Sequence, residues 1–202
     1  LLPAATKPAS MVAIVIACAS LIGQESVDHL AARELLFTSS SQARGQIPGE
    51  GAAGLLLTDV EQARQYELGD NALLGPIGEK RRDNSADEAR RVEATVMLEL
   101  SEQIAKAGGI ELAQIDMIVA DTAHRSNRVL ELMALAAPTI PQLDAADDVI
   151  RIGLGSGSCG AVPFMTVLAL AQHYARERGT PVLCISNEDP WLRAAALIRP
   201  MA

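Results

Sequence analysis

Few side chains in this sequence are equipped for nucleophilic or acid–base chemistry: three cysteines, Cys18, Cys159 and Cys184, and three histidines, His29, His124 and His173. Cys159 has the most reactive setting. It lies in the turn GLGSGSCGA, just ahead of a helix expected over about 162–178, where unsatisfied N–H groups stabilise a thiolate. Ser156, Gly157 and Ser158 of the same turn either present N–H and hydroxyl groups to an anion or form a capping turn that needs small residues for close approach. Cys18 and Cys184 sit in apolar runs and read as packed core thiols, since burial raises a thiol's pKa and limits access. His124 falls in the polar loop 121–127, whereas His29 and His173 read as ordinary surface or half-buried histidines. Arg128 and Glu131, three apart on the helix that follows, either form a surface ion pair or belong to a site. No HExxH, Walker or zinc-ligand spacing occurs, so no metal and no cofactor is expected.

The elements that must position these groups follow from periodicity. MVAIVIACA at 11–19 is an unbroken apolar run, as for a parallel strand covered on both faces; a helical stretch is expected over 31–37 and a second strand over 52–58. The charged, glycine-bearing stretch 61–84 reads as an edge strand or loop. Apolar positions Ala89, Val92, Val96, Leu100 and Ile104 make one stripe on a helix expected over 85–106, ended by Gly108-Gly109. Strands are expected at 115–120, 149–152, 181–186 and 193–198, with a helix at 128–137 closed by Pro138 and Pro141. The recurring strand, turn, helix, strand unit predicts an α/β fold, a mixed sheet with helices on both faces.

At 202 residues, 49% hydrophobic but only 2% aromatic, the chain is globular with an aliphatic core and lacks base-stacking platforms. With a net charge of -8, nucleic acid is excluded as the expected partner. The longest apolar stretch is too short to span a bilayer, and an odd cysteine count without CxxC fits a reducing cytoplasm better than a disulfide framework. The chain opens LLPAATKP, without Met or a basic leader, and reads as starting inside a longer protein.

GQIPGEGAAGLLLT at 45–58 resembles the GxxPGEGAAxLVLE signature of β-ketoacyl-acyl carrier protein synthases, in the thiolase-like superfamily. IVIACASLI before it, LSEQIAKAGGIELAQIDMIVAD, LGSGSCGAVPFMTVLALA and PVLCISNEDPWLRAAALI resemble further segments in family order. The resemblance covers nearly all of 1–202, yet only the C-terminal half of a synthase. It implies a layered αβαβα dimer with its active site between two similar halves, the N-terminal half being absent from this chain. It also implies decarboxylative condensation by a cysteine thiolate and two histidines.

Matched by position, the chain departs from that machinery. Cys18 stands too close to Pro48 to be the nucleophile and falls on a later strand, so the nucleophile belongs upstream. The first histidine position is Ala120, with His124 displaced four residues on; the second is Gly157. The loop is more similar to a divergent DxNGExxRxxE group, matched by Asp121, Arg128 and Glu131. ISNEDPWLRAA, containing Asn187, replaces a glycine-rich gating loop, and its Glu188, Asp189, Trp191 and Arg193 would crowd the site entrance. The expected function is a ketosynthase-like scaffold or homo- or heterodimer partner without condensing activity. The alternatives are an acyltransferase of 3-oxoacyl-acyl carrier protein synthase type that uses His124 or the Ser156–Cys159 turn with an upstream cysteine, and a lipid- or protein-binding module. Acyl carrier protein is a further expected partner, through the basic patches Lys80-Arg81-Arg82 and Arg90-Arg91.

Overall fold

The computed structural model describes residues 11–66, 71–88 and 91–201. Two sheets share one helix between them. β1 (Val12–Ser20) and β2 (Glu50–Thr58) form an antiparallel pair running from Val12↔Thr58 to Ser20↔Glu50. The second sheet has the order β3-β7-β6-β4-β5 and combines β3 (Ala72–Arg81), β4 (Met117–Ala120), β5 (Val149–Arg151), β6 (Val182–Ser186) and β7 (Leu192–Pro200). β4 runs parallel to both β5 and β6, whereas β7 is antiparallel to β6 and β3. The fold is α/β with a mixed sheet, as the sequence predicts.

The helix between the sheets is α6 (Val162–Arg178), with a left-handed Gly179 cap at φ +69°. Its Val167, Leu168, Ala171 and Ala175 join Val182, Cys184, Ala196 and Ile198 in one core, and Leu55 of β2 packs on the same cluster. A helix covered from two sides has to be apolar nearly all round, which suits its sequence. On the other face of the larger sheet, α3 (Thr95–Ala107) and α4 (Ser126–Thr139) bury Met97, Leu100, Ile104, Leu132 and Leu135 against Ile118, Leu183, Ile185 and Leu197.

Several boundaries differ from expectation. β1 is neither parallel nor covered on both faces. Val12, Ile14, Ile16 and Leu56 are 59%, 69%, 70% and 68% exposed, because α6 covers one side of the hairpin and no described residue covers the other. Cys18 therefore lies exposed on this strand and is no core thiol. The first helix, α1 (Gln24–Ala32), starts earlier than expected, braced by a 2.8 Å bond from Gln24 Nε2 to Asp28 Oδ1. It stops at Arg33 because Glu34 turns left-handed at φ +56°.

The stretch 61–84 holds α2 (Val60–Gln65), capped by Asp59 accepting from Gln62 N at 2.8 Å, and then β3, an edge strand that tolerates Pro76 at a bulge. Gly69 lies outside the described residues. α3 begins ten residues later than the stripe suggests, at Thr95. The segment before it instead straps across α4, with Ala86 N donating to Pro190 O at 2.9 Å and Asn127 Nδ2 donating to Ala86 O at 2.7 Å; Ala89 and Arg90 lie outside the described residues. α4 runs on through Pro138 to Thr139 before it ends.

Candidate functional site

The parallel neighbours β4 and β6 end side by side, with Ala120 opposite Ile185, so the residues that follow each strand meet. The Ser186 hydroxyl donates to Asp121 Oδ2, and Asn187 N donates to Asp121 Oδ1 at 2.9 Å. Thr122 Oγ1 donates to Asn187 Oδ1 at 2.6 Å, while Asn187 Nδ2 donates to Arg128 O at 3.0 Å. Asp121, Thr122 and Asn187 are all buried, so this network latches the two strand ends to the first turn of α4.

Burial pushes the Asp121 carboxyl up to about 6, against the pull of the Ser186 and Asn187 bonds and with a push from Glu188. Between the ordinary value of 3.8 and about 6 the unfolded chain ionises this group while the folded protein does not. Stability should therefore fall as pH rises through that window, by about 3 kcal/mol, and stay flat with respect to Asp121 above it. Urea unfolding of wild type and Asp121→Asn at about pH 4 and about pH 7 checks this. The variant should lose that part of the slope, and an unchanged slope would refute the assignment.

A second cluster lies deeper under α4. Glu131 Oε1 accepts from Arg193 Nε and from Arg82 Nη1, both at 2.8 Å, and Oε2 accepts from Arg193 Nη2 at 2.8 Å. Arg128 Nη2 donates to Asp87 Oδ1 at 2.7 Å, leaving Nη1 buried without a partner. Arg128 and Glu131 are thus no surface pair; both are buried and each answers a different residue. Arg82 is likewise buried rather than part of a surface patch, and Lys80 is paired with Glu99. The sequence reading missed Arg82 and Asp87 as members of this cluster. Arg193 carried a legible signal, since a guanidinium in the apolar strand LRAAALI requires a buried carboxylate.

His124 meets Phe37 edge-on at 5.0 Å, and its Nε2 is buried without a partner. His29 is exposed, and His173 sits on the surface 3.3 Å from Glu177. Nearby, α5 (Gly153–Ser156) packs its first residue so tightly on the Asp121 loop that a Cβ at Gly153 would lie 2.3 Å from Asp121 O. After α5 the chain turns at Gly157, φ +64°, and bonds to the PGEG loop: Ser158 N donates to Ile47 O at 2.7 Å and Gly49 N to Ser158 O at 3.0 Å. Gly157 N is also taken, by Gly153 O at 3.2 Å. These bonds occupy the Gly157 and Ser158 N–H groups. Ser156 Oγ donates back to Ile152 O at 3.2 Å.

Cys159 corrects the expected thiol order. It is fully buried, its Sγ donates to Ser156 O at 3.8 Å, and desolvation raises its pKa where a helix-start thiolate was expected. Cys184 is buried in β6 and pushed up further by the same cause. In residues 1–202 alone, iodoacetamide near neutral pH should therefore label Cys18 first, with Cys159 and Cys184 protected until unfolding. Peptide mapping that finds Cys159 modified ahead of Cys18 would contradict this. Among the described residues no group of His, Cys, Asp and Glu could hold a metal, and no hydrogen bond joins His124 to Cys159.

The fold is similar to that of several solved structures. The ishigamide ketosynthase/chain length factor superposes at TM-score 0.65 and 19% identity, covering 95% of this chain and 49% of that one. The 3-oxoacyl-[acyl-carrier-protein] synthase III of Aquifex aeolicus VF5 gives 0.60 and 17%, covering 93% and 57%. A type II polyketide synthase acyl-carrier protein in complex with its ketosynthase gives 0.70 and 13%, covering 93% and 56%. The chain has the thiolase-like ketosynthase fold and spans about half the length of these structures. No family model and no curated protein matches it by sequence. Among the described residues no helix is long and apolar enough to cross a membrane.

Proposed function

We propose that this chain is the C-terminal part of a ketosynthase-like protein and acts as a non-catalytic partner or scaffold within a homo- or heterodimer. One observation carries the reading: neither position where the resemblance places a catalytic imidazole could hold one. Ala120 is fully buried, paired on both sides within the sheet, and belongs to the core beneath α3 and α4. Gly157 is left-handed, and a Cβ there would lie 3.0 Å from the Ile47 and Pro48 carbonyl oxygens. Beyond Ala120, Asn187 bonds the Arg128 carbonyl and Arg193 pairs with Glu131, so buried polar groups stand there instead of an imidazole.

The β1–β2 hairpin supports the domain assignment. It repeats the antiparallel β6–β7 pair, whose outer edges receive β4 and β3, so preceding chain would supply the matching strands and an outer helical layer over Ile14, Ile16 and Leu56. An acyl carrier protein, present beside one of the similar ketosynthases, is a partner to test, and three free thiols fit a reducing cytoplasm. The test is product analysis of the natural-length protein supplied with acyl and malonyl thioesters. No 3-ketoacyl product should form in wild type or in the Ala120→His, Gly157→His double variant. Product made by the wild type would end the proposal.

A further inference from the structure

A surface helix ordinarily turns its charges to water and its apolar stripe to the core, and α4 does the reverse. Its two charged side chains, Arg128 and Glu131, are buried, while Leu130, Ala134 and Ala137 are exposed, Leu130 by 54%. Met133 is half-buried beside them. Residues three and four apart share one side of a helix, so these four form a continuous apolar stripe along α4. The core side is already supplied by Leu132 and Leu135, which leaves the outer stripe for another surface. α4 packs on the face of the larger sheet opposite α6, so the stripe points away from the β1–β2 hairpin and from the cover proposed for it.

The charges around the stripe have a direction. Beside its N-terminal end Arg44 and Arg91 outnumber Glu93, since Arg82 and Glu131 there are paired with each other. Beside its C-terminal end, at Thr139, Glu102 and Glu111 outnumber Lys106. The helix dipole has the same sense, and α4 does not oppose it: the first turn carries no acidic residue and the last no basic one. A second α4 laid antiparallel joins the two apolar stripes and sets each positive end against a negative one. A two-fold axis near Ala134, midway along the stripe, makes both end contacts at once.

We propose that the outer face of α4 is an interface between two copies of this protein, packed antiparallel about a two-fold axis near Ala134. The contact holds whether or not the protein is a catalyst. A helix of 14 residues offers a small area, so the association belongs to the weak, reversible class. The test uses the natural-length protein carrying Ala134→Cys with Cys18→Ser, treated with a short thiol-to-thiol crosslinker. A peptide map should join position 134 of one copy to position 134 of the other. Adding Leu130→Glu or Ala137→Glu sets like charges face to face in the two-fold contact and should lower that yield about tenfold or more at unchanged melting temperature. Both positions are exposed, so a folding defect in one variant leaves the other to give the result. Three outcomes would overturn the proposal: no 134-to-134 product, a yield that neither glutamate lowers, or a product joining position 134 to another part of the same chain or to a different protein.

Discussion

Replacing Glu131 with Gln should destabilise the protein by about 3–5 kcal/mol, a large part of the total stability of an ordinary domain. The carboxylate is the shared anion of two guanidiniums that are themselves buried, with all three contacts at 2.8 Å. An amide keeps the shape but removes the charge, leaving Arg82 and Arg193 to repel each other in a site from which water is excluded. Arg193 retains only carbonyl partners, Asp189 O at 2.7 Å and Leu192 O at 2.5 Å, which cannot offset a full charge. Chemical denaturation of Glu131→Gln against wild type is the measurement. A loss below about 1 kcal/mol would place Glu131 at the surface, where such pairs contribute little.

Gly49→Ala should be nearly as damaging, costing about 2–4 kcal/mol, because the new Cβ would fall 1.8 Å from Ser156 O and 2.9 Å from its carbonyl carbon. Neither neighbour is a side chain that can swing away. The Pro48-Gly49 loop and the α5 turn would have to separate, breaking the bonds from Ser158 N to Ile47 O and from Gly49 N to Ser158 O. Gly51→Ala is the fitting control, since its Cβ would meet only a methyl of the Val162 side chain, at 3.1 Å, and no backbone. Thermal unfolding should show a large drop for Gly49→Ala and a small one for Gly51→Ala. Equal effects would mean that the close approach does not explain the glycine in PGEG.

The larger sheet was legible because its strands carry their own cover in sequence. β4 and β6 are short apolar runs, each followed by a polar loop, and the helices α3, α4 and α6 that bury them lie within the same chain. β1 has the same composition but not the same surroundings. An apolar run records that both faces are meant to be covered without recording by what, so its exposed outer face could not be read.

The candidate site was half legible for a related reason. Asp121, Arg128 and Asn187 were picked out by position and meet at the strand-end latch, Arg128 through its carbonyl, whereas Glu131 belongs to the second cluster with Arg82 and Arg193. Arg82 and Asp87 were not foreseen as partners, because they lie just past the end of β3 and in the strap before α3, and pairing across such separations leaves no local pattern. Cys159 failed differently. A glycine-rich helix start predicts a positive potential, but the thiol is fully buried and desolvation raises its pKa.

Carbon dioxide release from a malonyl thioester by the natural-length protein tests the central claim most directly, because it reports on the imidazole pair without requiring an acyl substrate of the right length. The absence of a usable imidazole at Ala120 and Gly157 predicts release at the uncatalysed rate, the same in wild type and in His124→Ala. Release well above background that disappears in His124→Ala would show that the displaced histidine does the work of the missing pair, and the non-catalytic reading would be wrong.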